Sequence, residues 1–192
     1  MNRIHAFTLI EMLVTIAIAA ILLALAIPSF RESTLNNQRA ARVNELVTEL
    51  NYARTQAVSL RQTVSLCRVA NPGTPVCGSG NGWEDGWVIF VDNNSDGAID
   101  AGEDILRRHG ALISAAEQAK PSSQKFTIRG NGTATNGVLT RVSFRVAGNV
   151  SPNSNGTLAV CDQRNDAAKG RAIVIGTGGR IRTSEGVTTC QR

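Results

Sequence analysis

A chain of 192 residues is long enough for one domain plus an extended segment. Its 42% hydrophobic content excludes a disordered body, and its 4% aromatic content calls for an aliphatic core built from many short strands. The formal charge of +5 is unevenly placed: from Lys125 onward ten Lys/Arg stand against three acids (Asp162, Asp166 and Glu185), whereas the preceding residues carry ten Lys/Arg against twelve acids. Such asymmetry points either to a basic region that meets an anion (nucleic acid, anionic lipid or an acidic partner) or to a solvated basic surface.

Residues 1–6 form a short polar leader with one arginine, Arg3. Residues 7–27 are apolar except for Thr8, Glu11 and Thr15. That length matches the roughly 20 helical residues that cross a bilayer core. A secretory signal peptide fits poorly: the run is too long, the charge before it is minimal, and an acid sits near its start. Pro28 marks the end or a kink of the span. An ionised Glu11 in hydrocarbon costs about 2.5–3.5 kcal/mol, and nothing else in the span neutralises it. The amine of a newly cut N-terminus is the nearest source of a partner charge.

The run Ala6-Phe7-Thr8-Leu9-Ile10-Glu11-Met12 resembles the prepilin-peptidase site of type IV pilins and type II secretion pseudopilins. That resemblance implies cleavage between Ala6 and Phe7, N-methylation of the new amine, and a role for Glu11 in docking the subunit into a filament. It also implies an inner-membrane anchor with the head in the periplasm, followed by assembly into a pilus or pseudopilus. The family usually has Gly where Ala6 stands. Prepilin peptidase, other pilin subunits and the inner membrane are therefore the expected partners.

Past Pro28, Val43, Leu46, Leu50, Ala53, Ala57 and Leu60 recur at steps of three and four, the pattern of one apolar helix face. Arg39, Arg42, Glu45, Glu49 and Arg54 fall largely elsewhere. A helix over residues 7 to about 60 would be roughly 80 Å long at 1.5 Å per residue. The expected divisions are a leader (1–6), a transmembrane helix (7–28), its amphipathic continuation (29–61) and a β-rich head (62–192).

In the head, short β-rich runs alternate with Gly/Asn/Pro/Ser clusters at 63–69, 87–91, 125–129, 138–146, 157–161, 171–175 and 180–183. The expected fold is α+β, with a sandwich-like or open-barrel head of short antiparallel strands packed on the long helix. Four cysteines without CxxC spacing, in an exported chain, read as two disulfides with three possible connectivities. We favour the sequential pairing of Cys67 with Cys77 and Cys161 with Cys190.

Asp92, Asn94, Asp96, Gly97, Asp100 and Glu103 match the spacing of an EF-hand calcium loop. The flanks are not those of an EF-hand, because a strand precedes the loop and residues 105–108 are too short for a helix. We favour a hairpin whose Asp and Asn side chains make their own turn bonds, and no cofactor. A calcium-dependent adhesin is the reading that a bound cation would support. The signature Gly86-Trp87…Phe90…Asp92…Asn94…Asp96-Gly97…Gly102-Glu103…Leu106-Arg107 resembles the GspH/FimT class of minor pilins and pseudopilins. It implies a β-sandwich head and does not imply a metal.

Near the C-terminus, Gly178-Gly179-Arg180-Ile181-Arg182-Thr183 combines turn glycines with two arginines. Strand alternation sets the two arginines on one face about 6.5–7 Å apart, near the spacing of successive phosphates. Lys169, Arg171, Arg164 and Arg192 extend this basic surface in the sequence. Two arginines on an edge strand also deter aggregation. FimT-type minor pilins of natural transformation carry a C-terminal GRxR motif implicated in DNA binding, which Gly179, Arg180 and Arg182 match. The expected function is non-specific binding of double-stranded DNA for uptake, with a structural minor pilin or an assembly-priming type II pseudopilin as the alternative. An enzyme is not expected: His5 lies in the leader, and His109 has no Cys or Ser nucleophile beside it.

Overall fold

The computed structural model describes residues 8–71, 73–78, 82–121, 124–132 and 137–190. Ala6, Phe7 and Arg192 lie outside them. One helix, α1 (Leu9–Leu60), runs through Pro28, so the proline neither ends the helix nor separates two helices. The chain forms two compact units, Met1–Gln38 and Arg39–Arg192. In the first unit the helix exposes Leu9, Ile10, Leu13, Ile21, Leu25 and Phe30, a surface suited to hydrocarbon. Glu11 is exposed there too, and its backbone N–H donates to Thr8 Oγ1 at 3.3 Å.

The second unit contains eight strands in two antiparallel sheets. The strands are β1 (Val64–Arg68), β2 (Trp87–Val91), β3 (Ile105–His109), β4 (Thr127–Gly132), β5 (Arg141–Phe144), β6 (Gly156–Cys161), β7 (Arg171–Ile175) and β8 (Ile181–Glu185). The first sheet runs β3-β2-β1-β5 and the second β4-β6-β7-β8. A 3-10 turn (Trp83–Asp85) precedes β2, and a short helix, α2 (Ala115–Gln118), follows β3. Val43, Leu46, Leu50, Ala53 and Ala57 of α1 join Leu66, Ile89, Val142 and Phe144 of the first sheet and Ile128, Leu158 and Ile173 of the second in one core. The expected α+β architecture is present. All seven expected strand runs hold strands, and the disulfides are Cys67–Cys77 and Cys161–Cys190.

Strand β3 is the element that the sequence pattern misses. Arg107 opposes Ile89 and Ile105 opposes Phe90, so Leu106 is an extra residue in a bulge. The bulge resets the alternation and turns Arg107 and His109 toward α1. There Arg107 meets Glu49 at 2.9 Å and His109 Nε2 meets Glu45 at 2.8 Å. The His109 ring stacks on Trp87 with centroids 4.2 Å apart. The charged residues of α1 therefore do not all fall outside the packed face: Arg39 and Glu49 are buried within it because each finds an opposite charge.

Arg39 Nη1 donates to Asp162 Oδ2 at 3.0 Å, just beyond β6, and Arg164 closes on the same carboxylate from its own loop. Burial pushes the Asp162 carboxyl up. The hydrogen bonds from Arg164 and the charges of Arg164 and Arg39 outweigh that effect and hold it below its ordinary value. A depressed folded-state value means that the pair's stabilisation is present above the unfolded value of about 3.9 and is lost as pH falls through the folded value. Asp162→Asn should therefore cost about 3 kcal/mol near neutral pH, by leaving Arg39 buried without its partner. The deficit should shrink below about pH 4 in urea unfolding followed at several pH values.

Candidate functional site

The basic sequence motif folds as the turn of the β7–β8 hairpin. Ile175 pairs with Ile181, the Gly176 N–H donates to the Arg180 carbonyl at 3.0 Å, and the Gly179 N–H donates to the Gly176 carbonyl at 2.9 Å. Ile181 packs against the core, so alternation sets Arg180 and Arg182 on the opposite face of the second sheet. Both arginines are exposed. Among the described residues neither forms an ion pair or a side-chain hydrogen bond. Two guanidinium groups with no acid to neutralise them keep their five N–H donors each for an external anion.

Gly179 holds this turn in place. Its φ is +77°, and a Cβ there would lie 1.9 Å from the Gly148 carbonyl oxygen. That carbonyl already accepts from Arg54 Nε of α1 at 2.9 Å. The Val150 N–H donates to the Thr177 carbonyl at 3.0 Å from the other side. The turn is thus fixed to the helix and to the turn after β5 by groups that only glycine admits.

The structure separates other residues of the expected basic surface from the turn. Arg171 stands at the far end of β7, about 13 Å from the turn at 3.3 Å per residue, and pairs with Glu185 at 3.4 Å. Lys169 precedes it and lies farther still along the chain. Arg164 is engaged with Asp162. The arginine that does come to the turn is Arg54, from α1. A step of three or four along α1 does not single out Arg54, so sequence reasoning passes over it.

A cavity of about 660 Å³ opens on the same face of the second sheet, lined by residues such as Arg129, Thr157, Ala172, Val174, Ser184 and Val187. The segment that closes it, residues 186–189, is tied back to β6 by the Cys161–Cys190 disulfide.

The candidate calcium loop spends its oxygens on its own backbone. Asp92 is buried, and it accepts from Ser65 Oγ at 2.5 Å, Asp96 N at 3.1 Å and Gly97 N at 2.9 Å. Asn94 Nδ2 donates to Asp96 at 3.1 Å and to Asp100 at 2.8 Å. The two oxygens of Glu103 accept from Asn93 N at 2.8 Å and Asp100 N at 3.0 Å. Asp92 and Glu103 thus accept from the loop's own N–H groups, the turn bonds expected of a hairpin, and among the described residues no group of three His, Cys, Asp or Glu is arranged to hold a metal.

A family model described as type II transport protein GspH matches residues 42–179, and the prokaryotic N-terminal methylation motif matches residues 1–27. The fold is similar to a crystal structure of the Pseudomonas aeruginosa type IV minor pilin FimU, at 23% identity over 84% of this chain and 98% of that one, with a TM-score of 0.56. It is also similar to the Vibrio cholerae type II secretion minor pseudopilin EpsH, at 8% identity over 81% of this chain and 99% of that one, with a TM-score of 0.51. No curated protein sequence matches.

If the Gly148–Gly179 approach fixes the turn, Gly179→Ala should lower stability by at least about 2 kcal/mol, from the strained φ and the displaced carbonyl together. Gly178→Ala, where nothing lies within 4 Å, should change it by less than about 0.5 kcal/mol. Thermal unfolding of the two variants side by side checks this.

Proposed function

Because the chain belongs to the GspH family and carries the N-terminal methylation motif, we propose that it is a minor type IV pilin that binds double-stranded DNA non-specifically for uptake in natural transformation. The family and the motif make it a pilin or pseudopilin subunit, anchored in the inner membrane by its N-terminal helix before assembly into a filament. In this reading prepilin peptidase cuts between Ala6 and Phe7. Glu11, exposed on the first turn of the apolar helix, meets the freed amine of a neighbouring subunit during assembly.

The observation that carries the DNA reading is the exposed, unpaired pair Arg180 and Arg182 on a turn that cannot easily move. A fixed turn loses little conformational entropy on binding. With no aromatic residue in residues 176–184, the surface suits phosphate contacts rather than base stacking. Affinity should then lie at about 10⁻⁶ to 10⁻⁴ M at physiological salt, the range of non-specific binders.

A second reading rests on a different observation. Val58 and Val146, beside the turn, are 51% and 47% exposed. Apolar area next to cations also suits a neighbouring pilin subunit, which would make the protein an assembly-priming minor pilin or pseudopilin.

DNA binding by the full chain in a nonionic detergent separates the two. The DNA reading predicts binding that weakens steeply with salt, and a salt slope that falls by about two when Arg180→Gln and Arg182→Gln are combined. No binding at low salt, with the chain folded, would refute the DNA reading and leave the subunit-interface reading.

A further inference from the structure

We infer that the groove beside Arg182, on the outer face of the second sheet, takes one unpaired nucleotide at a DNA end, an inference that rests on the DNA reading of Arg180 and Arg182. Two rows of paired residues cross the sheet there. In the first, Arg182 of β8 stands opposite Val174 of β7, Val174 opposite Thr157 of β6, and Thr157 opposite Asn131 of β4. In the second, Ser184 stands opposite Ala172, Ala172 opposite Ala159, and Ala159 opposite Arg129. Residues directly opposite in an antiparallel pair share a face, with Cβ atoms about 4.5–5.5 Å apart. Val174, across from Arg182, and Ser184, two residues along the same strand, both line the cavity of about 660 Å³. The register therefore sets Arg182 at the edge of that cavity.

The chemistry of the cavity suits a nucleoside. Ala159, Ala172 and Val174 give it a small aliphatic floor, and Asn131, Thr157 and Ser184 add amide and hydroxyl groups that can meet a base edge. No Asp or Glu is among its described lining residues. Glu185 pairs with Arg171, and alternation sets both on the opposite face. Arg129 Nη1 is committed to the buried Glu84 at 2.6 Å, which leaves Arg182 as the uncommitted arginine of the two rows. A phosphate on Arg182 thus has its own nucleoside beside an acid-free hollow. A paired base stays inside the duplex, whereas an unpaired base swings out at little cost. The wall of the hollow is already built. Gly186 N–H donates to the Gly170 carbonyl at 2.8 Å, Val187 N–H donates to the Ala167 carbonyl at 2.9 Å, and the Cys161–Cys190 disulfide ties down the end. Binding then orders little new structure.

The test is titration of the full chain in nonionic detergent with two duplexes of equal length and equal phosphate number, one fully paired and one with mismatched end pairs. The native chain should favour the mismatched ends about tenfold, the gain from burying roughly 55 Å² of apolar base and sugar surface. Ala159→Leu fills the floor without changing charge. It should abolish that preference and leave affinity for the fully paired duplex unchanged. Thr157→Leu fills the neighbouring row and should act alike. Equal native affinity for the two duplexes, or a preference that survives both filled variants, would overturn the groove assignment while the DNA reading stands, provided that Arg180→Gln with Arg182→Gln still weakens binding to both. A native chain that binds neither duplex would overturn this inference together with the reading beneath it. Thermal unfolding of each variant shows that the comparison is made between folded proteins.

Discussion

The Gly148 carbonyl and the Gly179 backbone approach so closely that no side chain fits between them. Three layers of the head meet at this contact. The first sheet arrives through the turn after β5, the second through the β7–β8 hairpin, and α1 through Arg54, which bonds the same carbonyl. A carbonyl that holds its Arg54 donor and lies against a backbone with no room for a side chain has one comfortable position. The hairpin turn inherits that position, and with it the direction of Arg180 and Arg182. A loop held only by its two strands would leave the arginines to search for their ligand.

The rest of the head is registered by charge placed on an apolar scaffold. The stripe from Val43 to Ala57 supplies the burial that drives α1 onto the sheets, but an apolar stripe alone tolerates sliding and rolling. Glu45 and Glu49, one helical turn apart, fit His109 and Arg107 on the bulged β3, while Arg39 fits Asp162 beyond β6. At the far edge the buried Glu84 receives Arg129 at 2.5 Å and the Ile128 N–H at 2.9 Å, which ties the turn before β2 to β4. Each of these pairs spans two elements, so none is satisfied in a shifted packing. Where the group left behind is buried, as Arg39, Glu49 and Glu84 are, removing its partner would cost far more than an exposed pair contributes.

Much of this was legible because it depends on local rules. The apolar run and Glu11 mark the anchor, the three-four period marks the packed half of α1, and turn residues bracket seven strands. Strand β3 was not legible, because the bulge at Leu106 breaks the alternation that identifies a strand. The calcium-like spacing of residues 92–103 was visible, but a spacing does not say which N–H groups its oxygens meet, and here Asp92 and Glu103 accept from the loop's own backbone. The basic surface was half legible. Arg180 and Arg182 follow from alternation, whereas Lys169 and Arg171 are close to them in sequence and stand at the other end of the hairpin. Arg54 reaches the turn through a contact between elements, which no local pattern encodes.

The proposed DNA binding therefore rests on geometry and not on charge alone. Gly179→Ala keeps every arginine and the net charge, and shifts only the seat of the turn. The most direct measurement is therefore the DNA affinity of Gly179→Ala against Gly178→Ala, both below their unfolding temperatures and at the same salt. A fixed turn predicts that Gly178→Ala binds as the native chain does, while Gly179→Ala binds at least severalfold more weakly. Equal affinity for the two would contradict it, and would mean that the basic residues act as a diffuse charge with no need of a fixed turn.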